Sequence, residues 1–183
     1  MNDPERKSSK GRGRSAKNTG RSAARLTAVQ ALYEMDLAGA GADPVLQDFM
    51  ADRWRNAGAE DGQPPLAEPD GELLALLVRG VAGRQADLDA MIDGALAGGL
   101  TIERLQAVMR AILRAGAFEL LARPETPAKV VLADYLDVAK AFFLGTESSL
   151  VNGVLDRLAR TLRPTEMEGA GHGANAEKPT DGG

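Results

Sequence analysis

The sequence predicts an all-α protein, and three observations carry that prediction. Apolar residues recur at helical spacing through most of the chain. No segment alternates apolar and polar residues over the length of a strand. Proline, glycine and small polar residues punctuate the helical stretches at their ends. The expectation is five to seven helices packed in small bundles.

The elements follow in order. Residues 1–20 are Ser, Gly, Lys and Arg with almost nothing to bury, so they read as a basic arm, disordered in isolation. The helical domain begins at Arg21, where Leu26, Val29, Leu32, Tyr33 and Leu37 share one face and Gly39 with Gly41 closes the segment. Asp43-Pro44 reads as an N-cap followed by proline at the first helical position. Val45, Leu46, Phe49, Met50 and Trp54 then form the apolar face of a second helix. Residues 57–71, rich in Gly, Pro, Asp and Glu, read as a mobile loop.

Leu73, Leu77, Val81, Leu88, Met91 and Ile92 keep the helical period across a long third helix, with Gly80 and Gly83 inside it and Gly98-Gly99 ending it. Thr101 is a candidate cap for a fourth helix carrying Leu105, Val108, Met109, Ile112, Leu113, Ala117, Leu120 and Leu121, stopped by Arg123-Pro124. Thr126-Pro127 opens a fifth, with Val130, Val131, Tyr135, Val138 and Phe142. Thr146 is a candidate cap for the last, which runs to about Leu162 before Pro164. The helical domain thus spans 21–164, and residues 165–183 read as a disordered tail.

Composition narrows the function. With 183 residues, 44% hydrophobic and 26% charged, the chain has the profile of one soluble domain with a real core. Absence of cysteine excludes disulfides, thiolate metal sites and cysteine nucleophiles, and fits a cytoplasmic protein. No apolar run approaches the ~18 residues that span a bilayer, and the N-terminus lacks the apolar core of a signal peptide. The net charge of −4 hides a split. Residues 1–25 hold eight Lys or Arg against Asp3 and Glu5, a surplus of six that leaves −10 for the rest. A basic arm on an acidic body suggests partners of opposite character.

No catalytic constellation is present. Walker, H-E-x-x-H and G-x-S-x-G signatures are missing, and His172, the only histidine, sits in the tail where nothing would position it. Asp134 and Asp137 read as a solvated helix face. Gly11-Arg12-Gly13 has no preceding strand and is not a dinucleotide loop. The expectation is a protein with no cofactor, no metal and no enzymatic activity.

What remains is a pattern suited to RNA. Arg21 and Arg25 are four apart and share a face near a helix N-terminus, where phosphate oxygens find guanidinium forks. The competing reading is that Arg25 pairs with an acidic neighbour. Two consecutive aromatics, Phe142 and Phe143, cannot both face one core, so one is a candidate platform for an unstacked base.

Four segments then line up with one family. Arg25-Leu26-Thr27-Ala28-Val29-Gln30-Ala31-Leu32-Tyr33, the run Ala111 to Leu121 containing Ile112-Leu113-Arg114, the run Pro127 to Lys140, and the closing Val151-Asn152-Gly153-Val154-Leu155-Asp156 resemble, in order, the motifs of the NusB family of transcription antitermination factors. The resemblance covers roughly residues 21–164. It implies two helical subdomains and a role in processive transcription of ribosomal RNA. It also implies pairing with NusE, a small-subunit ribosomal protein, recognition of boxA RNA, and work within the RNA polymerase antitermination complex beside other Nus factors.

Carried over by motif, the resemblance assigns RNA contacts to Arg12, Arg14, Lys17, Arg21 and Arg25, with Lys140, Phe142 and Leu150 extending that surface. It turns Tyr33, Met109 and Glu119 toward the protein partner. The chain departs from the family pattern where Ser22, Ala23 and Ala24 interrupt the arginine cluster, where Ala133-Asp134 replaces an Asn-Glu pair, and where Leu150 replaces an aromatic. Asn152 and Gly153 read as close-packing and hydrogen-bonding positions inside the last helix. Two other functions compete. One is the rRNA-targeting domain of a methyltransferase, disfavoured because no Rossmann unit or catalytic cysteine accompanies the chain. The other is a protein-interaction module, including a homodimer of the free protein, without boxA specificity of its own.

Overall fold

The computed structural model describes residues 8–53 and 67–168. Among these there are eight α-helices and no strand. They are α1 (Ser8–Ala38), α2 (Ala42–Asp48), α3 (Gly71–Gly83), α4 (Gln85–Ala95), α5 (Ala107–Ala122), α6 (Ala128–Phe142), α7 (Glu147–Leu162) and α8 (Pro164–Glu168). A π-helical turn, Phe49–Arg53, continues α2, and a 3₁₀ turn, Ile102–Arg104, precedes α5.

Helix α5 organises the fold. Every residue from Ala111 to Leu120 is buried, so the helix is enclosed on all sides rather than amphipathic. It packs on α1 and α3 in one direction and on α4, α6 and α7 in the other, giving two helical bundles with a shared wall. One continuous cluster of buried apolar residues fills both. Small residues let its neighbours approach. A Cβ on Gly116 would lie 2.8 Å from Leu155 of α7. The reciprocal case is Gly80 of α3, where a Cβ would fall 2.0 Å from the Phe118 ring.

Gly80 therefore does not interrupt its helix; it admits an aromatic ring. The long third helix breaks instead at Arg84, whose φ of −131° leaves the helical region. Arg84 N–H still bonds Val81 at 3.1 Å and its carbonyl starts the next ladder at Leu88, 3.0 Å away. Asp70 caps α3 by accepting the Leu73 N–H at 3.1 Å. Thr101 does not cap α5, which starts six residues later. Between them Ile102 and Leu105 are buried, and Ile102 N–H is held by Asp93 at 2.6 Å.

The termini differ from expectation as well. Helix α1 does not begin at Arg21 but runs through from Ser8, so part of the basic arm is helical backbone. Residues 1–7 lie outside the described residues, as does residues 57–66 of the expected loop. At the other end, the first residues of the expected tail, 165–168, are helical. Proline at the first helical position starts α8, Met167 is buried, and Glu166 accepts the Ala128 N–H at 2.8 Å. Residues 169–183 lie outside the described residues.

Asn152 and Gly153 are a further correction. Both are exposed, and nothing lies within 4 Å of a Cβ on Gly153. The helix turns its apolar side, with Val151, Val154, Leu155 and Leu158, to the core and this pair to solvent. Thr146 precedes α7 without making a side-chain cap bond.

Candidate nucleic-acid interface

The four-residue spacing of Arg21 and Arg25 puts both on one side of α1, facing the α5–α6 connection and the first turns of α6. Together these elements line a cleft of about 570 Å³ that includes Asn18, Arg21, Ser22, Arg123, Thr126 and Asp134. Arg21 is half-buried there and has no ion-pair partner among the described residues. Arg123 Nε meets Glu125 Oε1 at 2.6 Å.

Arg25 is a different kind of residue. It is 3% exposed and lies at the floor of the cleft. Its Nε and Nη2 donate to Glu119 Oε2 and Oε1 at 2.9 and 2.6 Å, a bidentate pair between α1 and α5. Tyr135 donates its hydroxyl to Glu119 Oε2 at 3.1 Å, and Arg25 Nη1 lies 2.6 Å from Asp134 Oδ2. Burial alone would pull the Arg25 guanidinium down. The hydrogen bonds and charge of Glu119, aided by Tyr135 and Asp134, outweigh it and keep the group firmly cationic. Burial, with the nearby charges of Glu119 and Asp137, pushes the Asp134 carboxyl up despite Arg25. Burial also lifts the Tyr135 phenol well above its ordinary value, so it stays a neutral donor.

The expectation of an RNA contact at Arg25 meets a guanidinium whose charge is answered inside the protein. Its competing reading, pairing with an acid, is what the structure shows, and the acids are Glu119 and Asp134. Glu119 is fully buried and committed to Arg25 and Tyr135, so it cannot face a protein partner. Met109 is likewise buried, because α5 is enclosed on every side. Tyr33 is exposed, with Leu37 exposed one turn on.

Arg12, Arg14 and Lys17 lie along the helical backbone of α1, but their side chains fall outside the described residues. Lys140 and Phe142 sit at the far end of α6, about 15 and about 18 Å along the helix from the cleft residue Val130. Lys140 is exposed, with Nζ 3.5 Å from Asp137. Phe142 is 40% exposed, whereas Phe143 packs against the core. Lys140 and Phe142 are two apart in a helix and point away from each other. Leu150 is half-buried against the core.

Sequence reasoning missed Asp134 and Arg123 as cleft residues. The available signal was Glu119 itself, an acid in an apolar helix that needed a buried cation. Among the described residues, no group of His, Asp or Glu is arranged to hold a metal ion, and no helix is long and apolar enough to cross a membrane.

Comparison with known proteins agrees with this architecture. The NusB family model matches residues 22–160. The transcription antitermination protein NusB of Maricaulis maris is 48% identical over 147 residues, covering 80% of this chain and 90% of that protein. NusB of Caulobacter vibrioides is 48% identical over 144 residues, covering 78% and 94%. A crystal structure of antitermination factors NusB and NusE in complex with dsRNA superposes with a TM-score of 0.61 at 25% identity, over 76% of this chain and 96% of that one. With an enclosed central helix, the ordered motifs and relatives matched over most of their length, the chain belongs to the NusB family.

Proposed function

We propose that this protein is a non-enzymatic, RNA-binding transcription antitermination factor that acts with NusE on boxA-type RNA and supports processive transcription of ribosomal RNA. The observation that carries the reading is family membership joined to likeness with a NusB–NusE–RNA complex. The cleft beside α1 adds a physical reason. It holds Arg21 without an ion-pair partner among the described residues, midway along a helix whose N-terminal half is rich in Lys and Arg. Arg12, Arg14 and Lys17 extend that basic track in sequence, and Lys140 and Phe142 offer a cation and a stacking ring farther along α6. Tyr33 with Leu37 forms the exposed apolar pair suited to a protein partner.

In this reading NusE and boxA RNA bind together in the cytoplasm, and the assembly joins RNA polymerase with other Nus factors. The free protein then has the choice of a homodimer. Fluorescence anisotropy with labelled boxA RNA, with and without NusE, tests the core claim. Tighter binding to boxA than to a scrambled strand, enhanced by NusE, is the expected result. Equal affinity for both strands in either condition overturns it.

A further inference from the structure

The arginines that floor and wall the cleft are met from the solvent side by carboxylates. Two of the Arg25 nitrogens are held by Glu119, which is fully buried and stays whatever enters the cleft. The third, Nη1, is met at 2.6 Å by Asp134, whose side chain is 24% exposed and lines the cleft. Arg123 repeats the arrangement with Glu125, 60% exposed, at 2.6 Å. A carboxylate and a phosphate present a guanidinium with the same kind of paired oxygen acceptors. Arg25, Glu119 and Asp134 together carry one positive and two negative charges. A phosphate arriving with Asp134 in place finds the Arg25 guanidinium fully occupied by two carboxylates; one that replaces Asp134 meets a neutral Arg25–Glu119 pair with an open donor.

We propose that Asp134 is a built-in competitor for RNA phosphate, occupying the cleft-facing nitrogen of Arg25 until a backbone phosphate displaces it. The inference rests on the RNA-binding reading and adds a control on it. Displacement imposes the same cost on every polyanion that reaches Arg25, so the competitor lowers affinity for all of them and leaves sequence preference to the contacts made elsewhere. Glu125 acts on Arg123 in the same way.

The test titrates the full chain, as wild type, Asp134→Asn and Glu68→Gln, against labelled boxA RNA and a scrambled strand of equal length, with and without NusE. Glu68 is exposed, lies beside α1 at Gly20 and does not line the cleft, so its neutralisation reports only the general loss of negative charge. Asp134→Asn is expected to tighten binding on the order of three- to tenfold, the gain of one charge-assisted contact. The gain should be similar for the boxA and scrambled strands, because the displaced carboxylate costs both alike. Glu68→Gln should change little. A cooperatively melting Asp134→Asn protein that binds no tighter than wild type, or only as much tighter as Glu68→Gln, overturns the proposal. Should Asp134→Asn fail to melt cooperatively, Glu125→Gln in the exposed connection carries the test on Arg123, and absence of a gain there overturns it. If wild type binds neither strand, the RNA-binding reading fails; if it binds and the variants show no gain, only the competitor fails.

Discussion

Arg163 donates its Nε–H to the carbonyl of Leu120 at 2.7 Å, so the residue that ends α7 closes the end of α5. The same guanidinium reaches the carbonyls of Glu119, Arg123 and Thr126 at 3.1, 2.8 and 2.5 Å. The last carbonyls of a helix have no partner within it, and a cation there also meets the negative end of the helix dipole.

Replacing this group should be costly. Arg163→Ala is expected to lower stability by about 2–4 kcal/mol, because several buried carbonyls lose their donor together. Arg163→Lys should recover only part of this, since a single ammonium cannot reproduce the fork. Urea unfolding of the two variants measures both effects, and equal stability of wild type and Arg163→Ala would contradict the capping role.

Two glycines should respond in opposite directions. Gly80→Ala places a methyl 2.0 Å from the Phe118 ring and is expected to cost about 1–3 kcal/mol through overpacking. Gly153→Ala meets nothing within 4 Å and should stabilise by about 0.5–1 kcal/mol, the helix-propensity gain. Thermal melts of the pair are the check, and Phe118→Leu should relieve the first variant.

Arg21 and Arg25 should also part company. Arg21→Ala is expected to keep the melting temperature while weakening RNA binding and flattening the salt dependence of log affinity by about 0.7 per lost contact. Arg25→Ala leaves Glu119 buried without its cation and should destabilise the fold by about 3–5 kcal/mol. Salt titrations alongside calorimetry separate the two; an Arg25→Ala protein as stable as wild type would contradict the structural role of the Arg25–Glu119 pair.

Acid should weaken the junction of α1, α4 and α5. Asp36 pairs with Arg110 and with Arg114 at 3.2 Å, and Asp89 holds Arg114 Nε at 2.7 Å. Burial alone would lift the Asp36 carboxyl, but the hydrogen bonds and charges of the two arginines outweigh it and hold it below the usual carboxylate range. A depressed value means stability that is present above the ordinary carboxylate pKa and is lost as pH falls through the lower, folded-state value. Asp36→Asn should therefore be less stable than wild type by about 1–3 kcal/mol at pH 7. The difference should close as the solution is acidified toward pH 3, read by urea unfolding across that range.

The helices were legible because each buries a periodic face. What periodicity cannot show is which charges meet. Arg25 reads as a basic surface residue next to an arginine four positions back, yet its partner Glu119 is 94 residues away in sequence. Glu119 and Met109 read as candidates for a partner surface because nothing in α5 alone marks it as central; only the packing of five other helices does. The exposed pair Asn152 and Gly153 misled in the other direction. Polar residues inside an apolar stripe look buried until the helix is rotated by its larger apolar face.

Arg163 also sets an order in time. A chain grows from its N-terminus at roughly 5–20 residues per second, so some two to eight seconds separate the emergence of the last turn of α5 from that of the residue that caps it. Until then the central helix has open carbonyls at one end, and shortened chains that stop before α7 is complete keep them open. Completion of the core thus waits until synthesis has passed Arg163, some forty residues after the helix that it closes.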